Sequence, residues 1–290
     1  MKSPKIIFSL NTYPITNNRW NMGNKLINTI YMTGLSIQYA TKWYAEVELY
    51  IDKIGFPFFK DFPCKVIQTD FENDAELWMK SKIEVIQKQT SAFIHVDNDV
   101  FFKKNIDLSF NSVIVERTDN AYYNYSSLVR FFNNYANELD YWNPDFKSIP
   151  CCGVLGFANM DVKNAFVSAF YTFEKTFKKH HIAYKNYLEE MGGPGNYQEP
   201  CLVIEQFNLG CLLDHNNIIP KKIIEGTNEI EQSQFANNIG YTHLYGSSKY
   251  DPKTIKRIHY LFETEFPDQY KELSKKIKNY SNSTLITNAV

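Results

Sequence analysis

The chain has 290 residues, 44% of them hydrophobic and 16% aromatic, with a net charge of −1 and a pI near 6.6. That supplies enough apolar surface for a sizeable core, and the near-neutral balance excludes a nucleic-acid partner recruited by bulk charge. No apolar run approaches the ~18 residues of a membrane-spanning helix, and the five cysteines, odd in number and without a Cys-x-x-Cys pair, argue for free thiols in a reducing, cytoplasmic setting and against a zinc knuckle.

Lys5 to Leu10 reads as a first strand, its apolar part too short for a signal-peptide core. Asn11, Thr12 and Tyr13 end that strand, where they could hold a nucleotide base with Tyr13 stacking on it. Lys25 to Tyr44 carries Leu26, Ile30, Gly34 and Ile37 at helical spacing. Val47 to Ile51 and Cys64 to Gln68 read as short strands. Asn73 or Asp74 can cap a helix from Ala75 to about Gln89, with Met79, Ile83 and Ile86 as its stripe. On that helix Trp78 and Lys82 lie one turn apart on a shared face. Ser91 to Val96 is apolar on both faces, as a central parallel strand is, and Val113 to Glu116 is a further strand. This alternation predicts an α/β fold with a mixed, mostly parallel, Rossmann-like sheet flanked by helices.

The second half is less regular. Tyr122 to Trp142 is rich in Tyr, Asn and Phe and reads either as a helix with an aromatic face or as part of a cleft. Cys152 to Phe157 is a buried strand with small residues at close-contact points. Asp161 is placed to cap a helix with the stripe Val162, Phe166, Ala169, Phe173 and Phe177. Gly192 to Gly195 is a loop, and Glu199 to Leu213 a helix. Asp251-Pro252 starts another helix, and helical pattern runs from Ile255 to about Ile277, interrupted at Pro267; the tail after Asn279 is polar and expected to fray. No linker divides the chain. A single domain over 1–290 is expected, with a nucleotide-binding half at 1–118, an acceptor half at 119–250 and C-terminal helices at 251–290.

Two short motifs carry chemistry. Asp97-Asn98-Asp99 follows the Ser91–Val96 strand, so Asp97 and Asp99 share one side of the extended chain at a strand's carboxyl end, where α/β sheets bind ligands. Paired carboxylates there suit Mg²⁺ or Mn²⁺ holding substrate phosphates, although Asp-x-Asp is also an ordinary solvated turn. Far downstream, His243-Leu244-Tyr245-Gly246-Ser247-Ser248-Lys249 has the form His-x-x-Gly-x-x-Lys. A neutral imidazole can ligate Mn²⁺, glycine admits close backbone approach to a diphosphate, and lysine offers a mobile cation. Alone, each motif has a plain alternative. His95, inside its strand, reads as a hydrogen-bonded core histidine.

Taken together, the two motifs resemble those of GT-A glycosyltransferases, most closely glycosyltransferase family 8, over residues 5 to 250. The resemblance implies that Asp97, Asp99 and His243 bind Mn²⁺ (or Mg²⁺). It also implies that Gly246 and Lys249 contact a donor diphosphate, with Asn11, Tyr13, Asn98 and Lys82 as further donor-binding candidates. Glu205-Gln206 looks like the family's pair facing the reacting sugar, and Cys152-Gly153-Val154-Leu155-Gly156 like its small-residue strand under the acceptor. The implied activity is hexose transfer from a nucleotide diphosphate sugar, UDP-linked by resemblance, to a glycan, lipid or protein hydroxyl, with retention; contact with a membrane surface stays open. The chain departs from the family pattern in three places. Lys249 is followed by Tyr250-Asp251 rather than Pro-Trp, Glu205-Gln206-Phe207 replaces Asp-Gln-Asp, and the first strand lacks an early aspartate. Two other classes compete. A sugar nucleotidyltransferase would carry a glycine-rich loop after the first strand, and Asn11 to Arg19 contains no glycine. A non-catalytic nucleotide-sugar- or glycan-binding protein would not need intact Asp, Asp and His. A dehydrogenase is disfavoured by the lack of Gly-x-Gly-x-x-Gly.

Overall fold

The computed structural model describes residues 4–17, 24–119, 126–136, 139–191 and 200–287. In chain order, β1 (Lys5–Leu10), α1 (Thr12–Asn17), α2 (Lys25–Trp43), β2 (Val47–Ile51), α3 (Phe56–Phe59) and β3 (Lys65–Gln68) build the first edge of a sheet. There follow α4 (Lys80–Gln87), β4 (Phe93–Val96), β5 (Val100–Phe102), β6 (Val113–Asp119), α5 (Ser126–Asn133), β7 (Ile149–Phe157), α6 (Met160–Lys179) and α7 (His181–Glu190). A π-helical segment, Leu202–Phe207, runs into α8 (Asn208–His215), and then come β8 (Lys221–Lys222), α9 (Glu229–Ile239), β9 (Tyr241–His243), a 3₁₀ turn at Gly246–Tyr250, α10 (Pro252–Glu265) and α11 (Pro267–Thr287).

The main sheet has seven strands in the order β3-β2-β1-β4-β7-β6-β8. All are parallel except β7, which runs antiparallel to both β4 and β6. The fold is therefore mixed α/β, with a mostly parallel central sheet flanked by helices. Period-two alternation sends each strand's side chains to two apolar faces. Ile6, Phe8, Ile94 and Val96 pack with α2, α10 and α11, while Ile7, Phe93, Leu155 and Phe157 pack with α4 and α6. On α6, Phe166, Phe170 and Phe173 recur at helical spacing and are at most 1% exposed; burial of each such ring contributes about 1.5–3 kcal/mol. A separate two-stranded ladder joins β5 to β9, pairing Val100 with His243.

Several local expectations shift. The helix expected from Ala75 starts at Lys80: Asp74 Oδ1 accepts from the Glu76 and Leu77 amides at 3.0 and 2.8 Å, closing a turn that leaves Trp78 outside the helix. Asn159, not Asp161, caps α6, accepting from the Asp161 and Val162 amides, while Asp161 sits in the first turn where its charge complements the helix dipole. The helix expected to end near Ile277 runs on as α11 to Thr287, with Leu273, Ile277 and Tyr280 packed on the core, and residues 288–290 of the tail expected to fray lie outside the described residues. Of the aromatic stretch 122–142, Phe131, Phe132 and Trp142 pack into the core, and no described residue of it lines the large cleft at the strand ends. The Gly192–Gly195 loop and Glu199 lie outside the described residues.

Candidate active site at the strand ends

The chain leaves β4 at Val96 and turns through Asp97, Asn98 and Asp99 into β5. The Asp97 amide donates to Gly153 O on β7 at 2.9 Å, the Val100 amide to Asp97 O at 3.1 Å, and Asn98 Nδ2 to Ser9 O on β1 at 2.7 Å. These bonds fix the turn at the carboxyl ends of the central strands. The β5–β9 ladder then brings in the distant histidine. Its register sets His243 beside the turn, and the Leu244 amide donates to Asp99 O at 3.0 Å. As a result His243 Nε2 lies 3.4 Å from Asp99 Oδ1, and one ligand atom from each of Asp97, Asp99 and His243 lies within 4.8 Å of the others.

A residue without a sequence signature holds the ring. Glu116 on β6 is fully buried, and its Oε2 lies 2.7 Å from His243 Nδ1 and accepts from the Tyr241 hydroxyl at 2.9 Å; its other oxygen meets Arg117. A carboxylate on Nδ1 fixes the tautomer and turns Nε2 toward Asp99, an arrangement that raises the basicity of a metal-ligating imidazole. Gly153 makes room for the pair: a Cβ there would stand 2.3 Å from Glu116 Oε2 and 2.6 Å from His243 Nδ1. The only cue in the chain was a charged residue closing the apolar run Val113–Val115. Glu116, Cys151 and His243 also form a group of possible ligands. The Glu116 oxygens are already engaged there, and burial pushes the Cys151 thiol up, so the donor set open to a cation is Asp97, Asp99 and His243. Two carboxylates and an imidazole fit a borderline divalent cation such as Mn²⁺.

Cations flank the pair. Lys249 Nζ, on the 3₁₀ turn, is 2.6 Å from Asp99 Oδ2; Lys82 Nζ, on α4, is 2.9 Å from both Asp97 Oδ1 and Glu205 Oε1 and donates to Cys152 O. Burial alone would raise Asp99, but Lys249 and His243 hold its carboxyl well below the usual range. Asp97 keeps 27% of its side-chain surface open; burial and the neighbouring Asp99 charge raise it despite Lys82. Burial would lower Lys82 and His243, but Asp97 and Glu205 raise the first, and Glu116 and Asp99 raise the second. Burial also raises Glu205, against the pull of Lys82. Placing two acids side by side while pushing their ionisation apart is a pattern of functional sites.

The trio opens into a cleft of about 1580 Å³. Asn11, Lys82, Asn98, Gln206, Gly246 and Lys249 all line it. Gly246 takes φ +61, and a Cβ there would meet nothing within 4 Å, so the space over its backbone is open. Asn11 Nδ2 donates to Glu72 O at 3.3 Å. Tyr13 is 38% exposed and does not line the cleft; Pro14 and Ile15 on α1 do. Glu205 is 3% exposed, beneath Lys82, whereas its neighbour Gln206 reaches the cleft. Both stand on the π-helical segment, a distortion often met at functional sites. His95 is a core histidine, its Nε2 bonded to Ser9 Oγ at 2.9 Å, with Nδ1 3.6 Å from Asp97 Oδ1.

Fold and site together define an α/β protein in which the turn after β4, the β9 strand, α4 and the 3₁₀ turn bring an acidic pair, a histidine and two lysines to one large cleft. The chain belongs to the family described as "Family of unknown function (DUF6734)", which matches residues 5–276. No curated protein matches the sequence. Among solved structures the chain is similar to mouse xyloside xylosyltransferase 1 in its apo form, at 9% identity and a TM-score of 0.39, covering 86% of this chain and 94% of that one. It is also similar to the apo structure of the bifunctional glycosyltransferase WbbM, at 11% identity and a TM-score of 0.35, covering 58% of this chain. The match spans about a third, 34%, of the WbbM chain.

Proposed function

We propose that the protein is a metal-dependent glycosyltransferase that moves a hexose from a nucleotide diphosphate sugar, UDP-linked, to a hydroxyl acceptor. The observation that carries this reading is the convergence of Asp97, Asp99 and His243 within 4.8 Å, with Lys249 on Asp99 and the open backbone at Gly246 beside them. Asp97, Asp99 and His243 would hold Mn²⁺ or Mg²⁺, and a bound divalent cation supplies charge stabilisation for a departing diphosphate.

The remaining work falls to the chain's own groups. Lys249, on a flexible stem, can exchange its contact with Asp99 for a phosphate oxygen. Lys82 is fixed by Asp97, Glu205 and Cys152 O, and it offers a stationary positive charge on the cleft wall. Gln206, which lines the cleft, would hydrogen-bond the reacting sugar. Glu205 is enclosed and paired with Lys82, a poor position for a general base, and this supports transfer with retention, where no base on the far face is needed.

The test is a hydrolysis and transfer screen of nucleotide sugars, UDP-glucose and UDP-galactose first, with and without Mn²⁺. Asp99→Ala and His243→Ala should each lower turnover at least about 100-fold, within the range seen when electrostatic groups or metal supports are removed, with the fold intact by circular dichroism. Unchanged turnover and unchanged Mn²⁺ dependence in Asp99→Ala would overturn the assignment. Binding of UDP with Mn²⁺ but no turnover on any donor would instead mark a non-catalytic binder.

A further inference from the structure

The cleft extends beyond the acidic pair, past Tyr245, to a wall built from the end of β6 and the start of α9. Tyr245 is 59% exposed, unusual for so large a ring inside a cleft. It stands edge-on to His243, with ring centroids 5.6 Å apart. The Arg117 guanidinium lies over it at 4.9 Å, and Arg117 is itself fixed by Asp119, Nε to Oδ1 at 2.8 Å, and by Glu116. The ring is thus backed by a planar cation that two carboxylates hold in place, a stiff platform rather than a loose surface tyrosine.

We propose that Tyr245, with Asp119, forms an acceptor subsite for a neutral saccharide ring. A pyranose has an apolar C–H face and a hydroxyl edge, and this wall offers the complement of both. Tyr245 supplies the flat apolar surface. Asp119 Oδ2 is 3.5 Å from Arg117 Nη2, beyond a good hydrogen bond, and keeps capacity to accept a sugar hydroxyl. Gln232 on α9 adds an amide, whose Nε2 makes long 3.4 Å contacts to Thr118 O and Gly226 O.

The charge balance selects against other acceptors. The described cations of this wall are engaged: Arg117 with Glu116 and Asp119, and Lys222 within 3.7 Å of Glu225. An anionic acceptor would therefore meet Asp119 without a spare cation to compensate, and an acyl chain would desolvate carboxylates and amides without repayment. The inference rests on the glycosyltransferase reading for what happens to the bound saccharide, but not for its binding.

The test uses the full chain with UDP and Mn²⁺ present. Saturation-transfer NMR and titration would compare methyl α-D-glucoside, methyl β-D-galactoside and lactose with glucose 6-phosphate and an alkyl alcohol. At least one neutral saccharide should show saturated ring protons. Tyr245→Ala should raise its Kd about tenfold, the size expected for one aromatic contact. Tyr245→Phe should bind within about twofold of wild type, because the ring face and not the hydroxyl makes the contact, whereas Tyr245→Leu should bind as weakly as Tyr245→Ala. The leucine variant also guards against a folding defect in the alanine variant. Wild-type binding in both Tyr245→Ala and Tyr245→Leu, tighter binding of glucose 6-phosphate or the alcohol than of any neutral saccharide, or no saccharide binding at all would overturn the proposal. Wild-type thermal shift by UDP with Mn²⁺, and donor hydrolysis, are read separately. If both fail while saccharide binding persists and depends on Tyr245, the transferase reading falls and the subsite stands.

Discussion

At the scale of single residues, the site depends on groups outside its two motifs, Glu116 and Gly153 on the cleft wall. His243 has an aim only because Glu116 holds its Nδ1, and that contact exists only because residue 153 lacks a side chain. Gly153→Ala forces either the carboxylate or the imidazole to move, since a contact of 2.3 Å cannot persist. Overpacking of this kind costs about 1–3 kcal/mol. The expected result is a lower melting temperature together with loss of the Mn²⁺-induced thermal shift. A variant that melts lower but keeps the full shift would show that His243 tolerates the displacement. The motif residues themselves were legible, because aspartate pairs and His-x-x-Gly-x-x-Lys are local patterns. Gly153 was legible as a small residue at a close-contact point of a buried strand, though not the pair it makes room for; Glu116 was not, because a buried carboxylate at a strand end looks like any other charged residue until its partner is known.

At the scale of elements, β2 carries a charged device inside the sheet. Glu48 is 8% exposed, accepts from Tyr50 and Lys65, and lies 3.3 Å from Lys5. Burial would raise its pKa, but those donors and charges prevail and lower it below 4.5. A lowered folded-state pKa means stability that is fully present above the unfolded value, near 4.5, and is lost as pH falls through the folded one. Glu48→Gln should therefore flatten the acid limb of the stability–pH curve below about pH 4.5, as followed by urea titration at stepped pH; an unchanged acid limb would remove Glu48 from the account. Six of the main-sheet strands and the helices α2, α6, α10 and α11 were readable from the sequence, whereas the two-residue β8 and the helix α9 were not read. The start of α4 was not: Asp74 closes a turn by side-chain bonds that compete with helix initiation, and a capping residue and a turn residue look alike in a sequence. The β5–β9 ladder was also hidden, because strands as short as Val100–Phe102 and Tyr241–His243 give no period to detect.

For the whole molecule, the two core faces share the same strands, with Ile6 and Phe8 on one and Ile7 on the other. The C-terminal helices belong to the first face through Ile258, Phe262 and Leu273, and Phe262 Cε1 and Leu273 Cδ2 lie where a side chain on Gly34 of α2 would be. We propose a single cooperative unit over the described chain, the C-terminal helices included. Calorimetry should give one transition, and truncation after residue 250 should abolish it rather than leave a folded remainder, since it uncovers the apolar side of α2 on which Phe262 and Leu273 pack. Two separable transitions, or a truncated chain that melts cooperatively, would divide the molecule instead.

The layered α/β architecture and the residues worth testing followed from local order in the chain: alternation and helical spacing report burial, and short polar motifs report chemistry at strand ends. Which of those residues meet was decided by the fold alone. Asp99 and His243 are far apart in sequence, and their 3.4 Å approach arises from a three-residue ladder. The enclosure of Glu205 under Lys82 and the seating of Tyr245 on Arg117 arise from packing between elements. The reason is physical. Periodicity encodes which face of an element avoids water, whereas distance, orientation and charge compensation between groups are set only when separate elements close on one another.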